Sequence, residues 1–154
     1  MEIGELLTSD RVVDRLPAAS KKQVIREISR RAAAVTGLDE RSVFSVLLER
    51  ERLGTTGVGE GVAIPHGKLP ELDGLYGFFA RLDRAVDFES IDERPVDLVF
   101  LLLAQEGASA DHLKALARVS RLMRDPAIRE GLRHAADAGA LYSILTANGT
   151  VRAA

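Results

Sequence analysis

Apolar residues recur at helical spacing at Val24, Ile28, Ala32 and Val35, between a capping box formed by Ser20 and Gln23 and a stop at Gly37. This pattern predicts a helix over 20–36. Asp39 caps a second helix, with Val43, Val46 and Leu47 on its apolar side and Gly54 beyond its end. The pattern then turns strand-like. A short apolar run from Gly61 to His66 reads as one strand, and Leu75 to Leu82 reads as another, with Tyr76, Phe78, Ala80 and Leu82 on one face. Val96 to Leu103 is continuously apolar after Asp97, as expected of a strand in the middle of a sheet with both faces covered. Ser109 is placed to cap a helix whose first turn holds His112 and whose inward stripe reads as Leu113, Leu116, Ala117, Ser120 and Met123. Asp125-Pro126 starts a further helix. Asp137 starts the last, carrying Leu141, Ile144 and Leu145 and ending at Asn148-Gly149. These elements predict an α/β fold: a single-domain sandwich over 1–149, with a central mixed β-sheet flanked by helices and a mobile tail over 150–154.

Composition narrows the function classes. A chain of 154 residues, 46% hydrophobic and 29% charged, fits one globular domain with a substantial core. No stretch approaches the ~18 consecutive apolar residues of a membrane span, so membrane insertion is not expected. Met1-Glu2-Ile3-Gly4-Glu5 lacks the basic start and apolar run of a secretory signal, and the absence of cysteine excludes disulfides and thiolate metal sites. A cytoplasmic location is expected. The net charge of −2 provides no general attraction for nucleic acid, and the cluster Lys21, Lys22, Arg26, Arg30 and Arg31, interrupted by Glu27, reads as a solvated helix face.

The candidate chemistry lies in Gly54-Thr55-Thr56-Gly57-Val58-Gly59-Glu60-Gly61-Val62-Ala63-Ile64-Pro65-His66-Gly67-Lys68. Pro65 fixes its own φ and restricts Ile64, and Gly67 lets the chain turn, so His66 is expected where a short strand stops. A histidine in a turn is ordinarily structural or solvated. It is also one of the few side chains able to attack phosphorus and carry the phosphoryl group on a ring nitrogen, because its neutral form is well populated near pH 7. The glycines do not form a dinucleotide fingerprint, since Val62 stands where GxGxxG needs glycine and the run follows a helix instead of opening one. A P-loop fails because Leu69 follows Gly67-Lys68 in place of Ser or Thr. Either a tight turn or close approach by a partner or phosphoryl oxygen accounts for them. Histidines without carboxylates at ligand spacing make a poor metal site, and Asp111 with the histidines lacks a nucleophile elbow. His134 reads as an exposed residue at a helix end.

Arg50-Glu51-Arg52-Leu53-Gly54 leading into Thr55-Thr56-Gly57 and Ala63-Ile64-Pro65-His66-Gly67 resembles the phosphorylation-site signature of the IIA proteins of the bacterial phosphotransferase system, of the nitrogen-related and fructose/mannitol type. The stretches Phe88 to Leu102 and Asp111-His112-Leu113-Lys114-Ala115-Leu116-Ala117 resemble the family's second and third blocks. The resemblance implies the same sandwich architecture, His66 as phosphoryl acceptor, and His112 beside it steadying phosphoryl charge. It also implies Arg50 as a phosphoryl or partner contact. Thr56 and Gly67 join the set of phosphoryl- or partner-binding candidates, with turn capping the simpler account of a threonine here. The implied donor is a phosphohistidine on an HPr-like carrier, of the HPr or nitrogen-HPr kind. The implied downstream partner is a regulatory target or a IIB domain, and neither a nucleotide nor an obligatory metal cofactor follows. Val58, Val62 and Leu69 are candidates for an apolar docking collar, or for core.

Overall fold

The computed structural model describes residues 2–153, and the side-chain environments of 2–147. A one-turn helix α1 (Ile3–Leu6) and a 3-10 turn (Ser9–Arg11) lead into strand β1 (Val12–Leu16). Helices α2 (Lys21–Thr36) and α3 (Glu40–Leu53) follow, then strands β2 (Gly57–Gly59), β3 (Val62–Ala63), β4 (His66–Leu69), β5 (Tyr76–Val86) and β6 (Val96–Gln105), and helices α4 (Ser109–Arg124), α5 (Pro126–His134) and α6 (Ala138–Ala153). The sheet is mixed, in the order β1-β5-β6-β3-β2, with β4 also paired to β6. β5 runs antiparallel to β6, while β1 is parallel to β5 and both β3 and β4 are parallel to β6.

The apolar run of β6 becomes two cores because successive side chains point to opposite faces. Val99, Leu101 and Leu103 pack with Phe78, Ala80 and Leu82 of β5 beneath α2 and α3. Leu98, Phe100 and Leu102 pack with Phe79 against α4, α5 and α6. Each fully buried Leu or Phe contributes roughly 1.5–3 kcal/mol, so both faces of this central hairpin drive folding. Ser20 and Asp39 cap α2 and α3 through Gln23 N–H and Ser42 N–H, as expected. No helix among the described residues is long and apolar enough to cross a membrane.

Three local expectations change, and β1 is an element the pattern did not predict. β1 pairs along β5 although Asp14 and Arg15 hide its alternation. The expected strand over 61–66 is two pieces: β3 ends at Ala63, buried Pro65 offers β6 only its carbonyl, which accepts from Leu102 N–H at 3.0 Å, and pairing resumes at His66. His66 therefore opens a strand. The residue before α4 is Ala108, without a side-chain cap, and the buried stripe of α4 is His112, Ala115, Val119, Leu122 and Met123, with Leu113 67% exposed. Finally, α6 continues through Asn148-Gly149 to Ala153, where a stop was expected. The mobile tail expected over 150–154 falls on side chains outside the described residues.

Candidate active site

His66 stands on β4, opposite Leu102 in the register, on the face that looks toward α4. Among the described residues β2 pairs only with β3, so β4 is an uncovered edge where α3 and α4 approach from either side. Gly67 sets the approach of α3. A β-carbon there would lie 2.5 Å from Val46 Cγ1, so only a glycine lets the helix pack this closely. One turn after Val46 comes Arg50, whose Nε donates to His66 Nε2 at 3.3 Å and whose Nη1 donates to the Gly54 carbonyl at 2.9 Å.

Two contacts fix the tautomer of His66. Nδ1 lies 2.8 Å from the Ile64 carbonyl oxygen, which can only accept, so Nδ1 carries the proton. Nε2 faces a guanidinium N–H, which can only donate, so Nε2 carries the lone pair. Burial, opposed by the Ile64 carbonyl and Glu51 and assisted by Arg50, holds His66 below its ordinary pKa. The half-buried ring is neutral near pH 7 and still open at the sheet edge.

His112 is brought to it by α4. The ring centroids are 5.5 Å apart at 64°, close enough for a group bonded to one ring to be hydrogen-bonded by the other. His112 Nε2 is buried with no hydrogen-bond partner among the described residues, a cost of about 1–3 kcal/mol in the free protein that an incoming acceptor would remove. Burial first, then the charges of His66 and Lys68, pushes its pKa down. Lys68, two residues along β4, donates to Ser109 Oγ at 3.0 Å at the start of α4. The pair of neutral imidazoles with flanking cations suits phosphoryl transfer, where positioning and electrostatics dominate.

The sequence profile described as "Phosphoenolpyruvate-dependent sugar phosphotransferase system, EIIA 2" matches residues 5–148. The chain belongs to this family. It is 59% identical over 145 residues to a nitrogen regulatory protein of Bradyrhizobium diazoefficiens, covering 94% of this chain and 95% of the relative. It is 36% identical over 146 residues, 94% of its length, to the PTS system fructose-specific EIIABC component of Bacillus subtilis, of which that match covers 23%. The crystal structure of nitrogen regulatory protein IIA-Ntr from Neisseria meningitidis superposes with a TM-score of 0.88 at 36% identity, over 94% of this chain and 99% of that one.

In this EIIA chain the structure brings together His66, His112, Arg50 and Gly67. Thr56 is used differently from its expected role toward a phosphoryl oxygen or partner. It is buried, its N–H and hydroxyl donating to Glu51 at 2.7 and 2.6 Å. The collar also changes: Val62 and Leu69 are core, whereas Val58 and Leu113 are exposed. The glycine run resolves as a tight hairpin turn, with Glu60 and Gly61 at φ of 58° and 78° between β2 and β3. Arg133, in a two-bond ion pair with Asp97 at 2.9 Å each, packs directly on Gly61. His134 is exposed, as expected. Glu51 was missed in the EIIA sequence because Glu49-Arg50-Glu51-Arg52 reads as a solvated charge run. Its signal was the four-residue spacing Val43, Leu47, Glu51, which is the buried line of α3.

Proposed function

We propose that this chain is a phosphocarrier of the nitrogen-regulatory IIA kind, which accepts a phosphoryl group on His66 Nε2 from a phosphohistidine of an HPr-like carrier and signals through phosphorylation-dependent protein binding. The observation that carries this reading is the Nε2 lone pair of a neutral His66, met by an Arg50 N–H, beside a second imidazole whose Nε2 lacks a partner among the described residues. The lone pair forms the new N–P bond as the donor's P–N bond breaks, the electron pair returning to the donor imidazole. No proton has to leave Nε2. Arg50 moves its N–H from the lone pair to a phosphoryl oxygen, and His112 Nε2–H donates to another. Family membership and the 59% identical nitrogen regulatory relative support the regulatory role. Exposed Val58 and Leu113 supply apolar surface for docking.

A sugar-transport role, relaying the phosphoryl group to a IIB domain, is supported by the likeness to the fructose-specific component. The deciding experiment mixes the purified chain with a phosphorylated HPr-like carrier and maps acid-labile phosphate by mass spectrometry. Wild type should be labelled on His66 and His66→Ala should remain unlabelled; normal incorporation in that variant rejects the assignment. Rapid onward transfer to a purified IIB domain would favour the transport reading over the regulatory one.

A further inference from the structure

Glu51 is the most deeply placed charge of α3, its side chain only 4% exposed, and the transfer chemistry does not touch it. A buried carboxylate is costly unless every lone pair meets a donor. Lys21 Nζ lies 2.9 Å from Oε1, Thr56 N–H donates to Oε1 at 2.7 Å, and the Thr56 hydroxyl donates to Oε2 at 2.6 Å. The line continues beyond Thr56. Its carbonyl accepts from Ile64 N–H at 2.9 Å, and the Ile64 carbonyl accepts from His66 Nδ1–H at 2.8 Å. A string of oriented hydrogen bonds thus runs from Lys21 at the start of α2, through Glu51, to the ring of His66.

We propose that Glu51 is a positioning residue for phosphoryl transfer, fixing the tautomer and aim of His66 through Thr56 and Ile64; the proposal rests on the reading of His66 as the acceptor. The Ile64 carbonyl selects the Nδ1–H form only while it stays in line with the ring, and Thr56 holds it there. Released from Thr56, the imidazole gains access to the Nε2–H form, which has no lone pair at the attacking atom. The same clamp serves Arg50. Its Nη1 is anchored on the Gly54 carbonyl, two residues before Thr56, so one buried carboxylate steadies the nucleophile and the neighbouring guanidinium together. Among the described residues, the charged and titratable groups acting on His66 are Arg50 and Glu51 from α3 and His112 from α4, the last flanked by Lys68 of β4. Glu51 is the one anion among them.

The test compares wild type with Glu51→Gln, which keeps the shape and removes the charge, and with Thr56→Val, which removes the hydroxyl link while leaving the carboxylate. Ring 15N resonances of His66 are followed against pH without any phosphodonor, and phosphorylation by a phosphorylated HPr-like carrier is timed across the same range. In Glu51→Gln a population of the Nε2–H tautomer should emerge. The rate should fall on the order of 10-fold at unchanged KM for the carrier, the lower end of what lost orienting partners cost a histidine. Its pH profile should move to lower pH, because the anion that favours imidazolium is gone. Thr56→Val should show smaller changes in the tautomer and rate. If Glu51→Gln does not fold, the tautomer and rate in Thr56→Val decide. Folded variants with the wild-type tautomer, rate and profile would overturn the proposal. Should the wild-type chain accept no phosphate, the acceptor reading fails, and the tautomer measurement still decides whether Glu51 orients the ring.

Discussion

At the residue scale the proposed chemistry depends on which nitrogen of each imidazole carries the proton and which the lone pair. His66 keeps its lone pair on Nε2 because Ile64 and Arg50 bracket the ring with an acceptor and a donor, and His112 offers an Nε2 with no partner among the described residues. His112→Ala should therefore slow phosphoryl transfer on the order of 100-fold, as expected for loss of a donor to developing charge, while leaving the fold intact. A stopped-flow transfer rate equal to wild type would remove His112 from the mechanism. Both histidines were legible as candidates, because a rare side chain between proline and glycine, or in a helix's first turn, stands out from its surroundings. The tautomer was not legible, since it is set by a carbonyl and a guanidinium that chain direction alone does not aim. Thr56 shows the converse: its hydroxyl suits a phosphoryl oxygen on paper, yet burial commits it to Glu51.

At the element scale, the site is a meeting of α3, β4 and α4 at an open sheet edge. Gly67 governs the first contact. Gly67→Ala would drive a methyl into Val46, a β-branched side chain with little rotamer freedom, and should cost about 1–3 kcal/mol in urea unfolding while moving Arg50 away from His66. An unchanged midpoint with unchanged transfer rate would show that α3 does not need this close approach. The helices over 20–36 and 40–53 were legible from caps and spacing because those signals are local. The orientation of α4 was not. Counting His112 as polar favoured the stripe through Leu113, but the structure rotates the helix so that His112 lies inward in line with Ala115, Val119 and Leu122. The mismatch arises because an imidazole occupies a buried position that packing alone would give to an apolar side chain.

At the scale of the whole molecule, pH couples the site to stability. Both His66 and His112 have folded-state pKa values depressed by burial, so the unfolded chain binds their protons more readily. Their contribution is fully present above the ordinary histidine value of about 6.5 and is lost as the pH falls below it toward the depressed values. Thermal midpoints should drop between pH 7 and pH 5 in wild type, and less steeply in a variant carrying both His66→Ala and His112→Ala. Equal slopes in the two proteins would show that the rings do not carry this dependence.

The sequence by itself determined the class of fold and the candidate for the proposed chemistry, His66: periodicity and caps are written in neighbouring positions, and the family signature around His66 is local to the chain. Only the tertiary structure decided how the pieces act together. Glu51 sits one residue from Arg50 yet faces the interior, the lone pair of His66 is selected by groups 2 and 16 positions away, and His112 reaches its partner ring from 46 positions along the chain. Those outcomes follow from long-range packing of α3 and α4 against the edge of the sheet. Hydrogen-bond direction and burial there are properties of the assembled site, which no local pattern encodes.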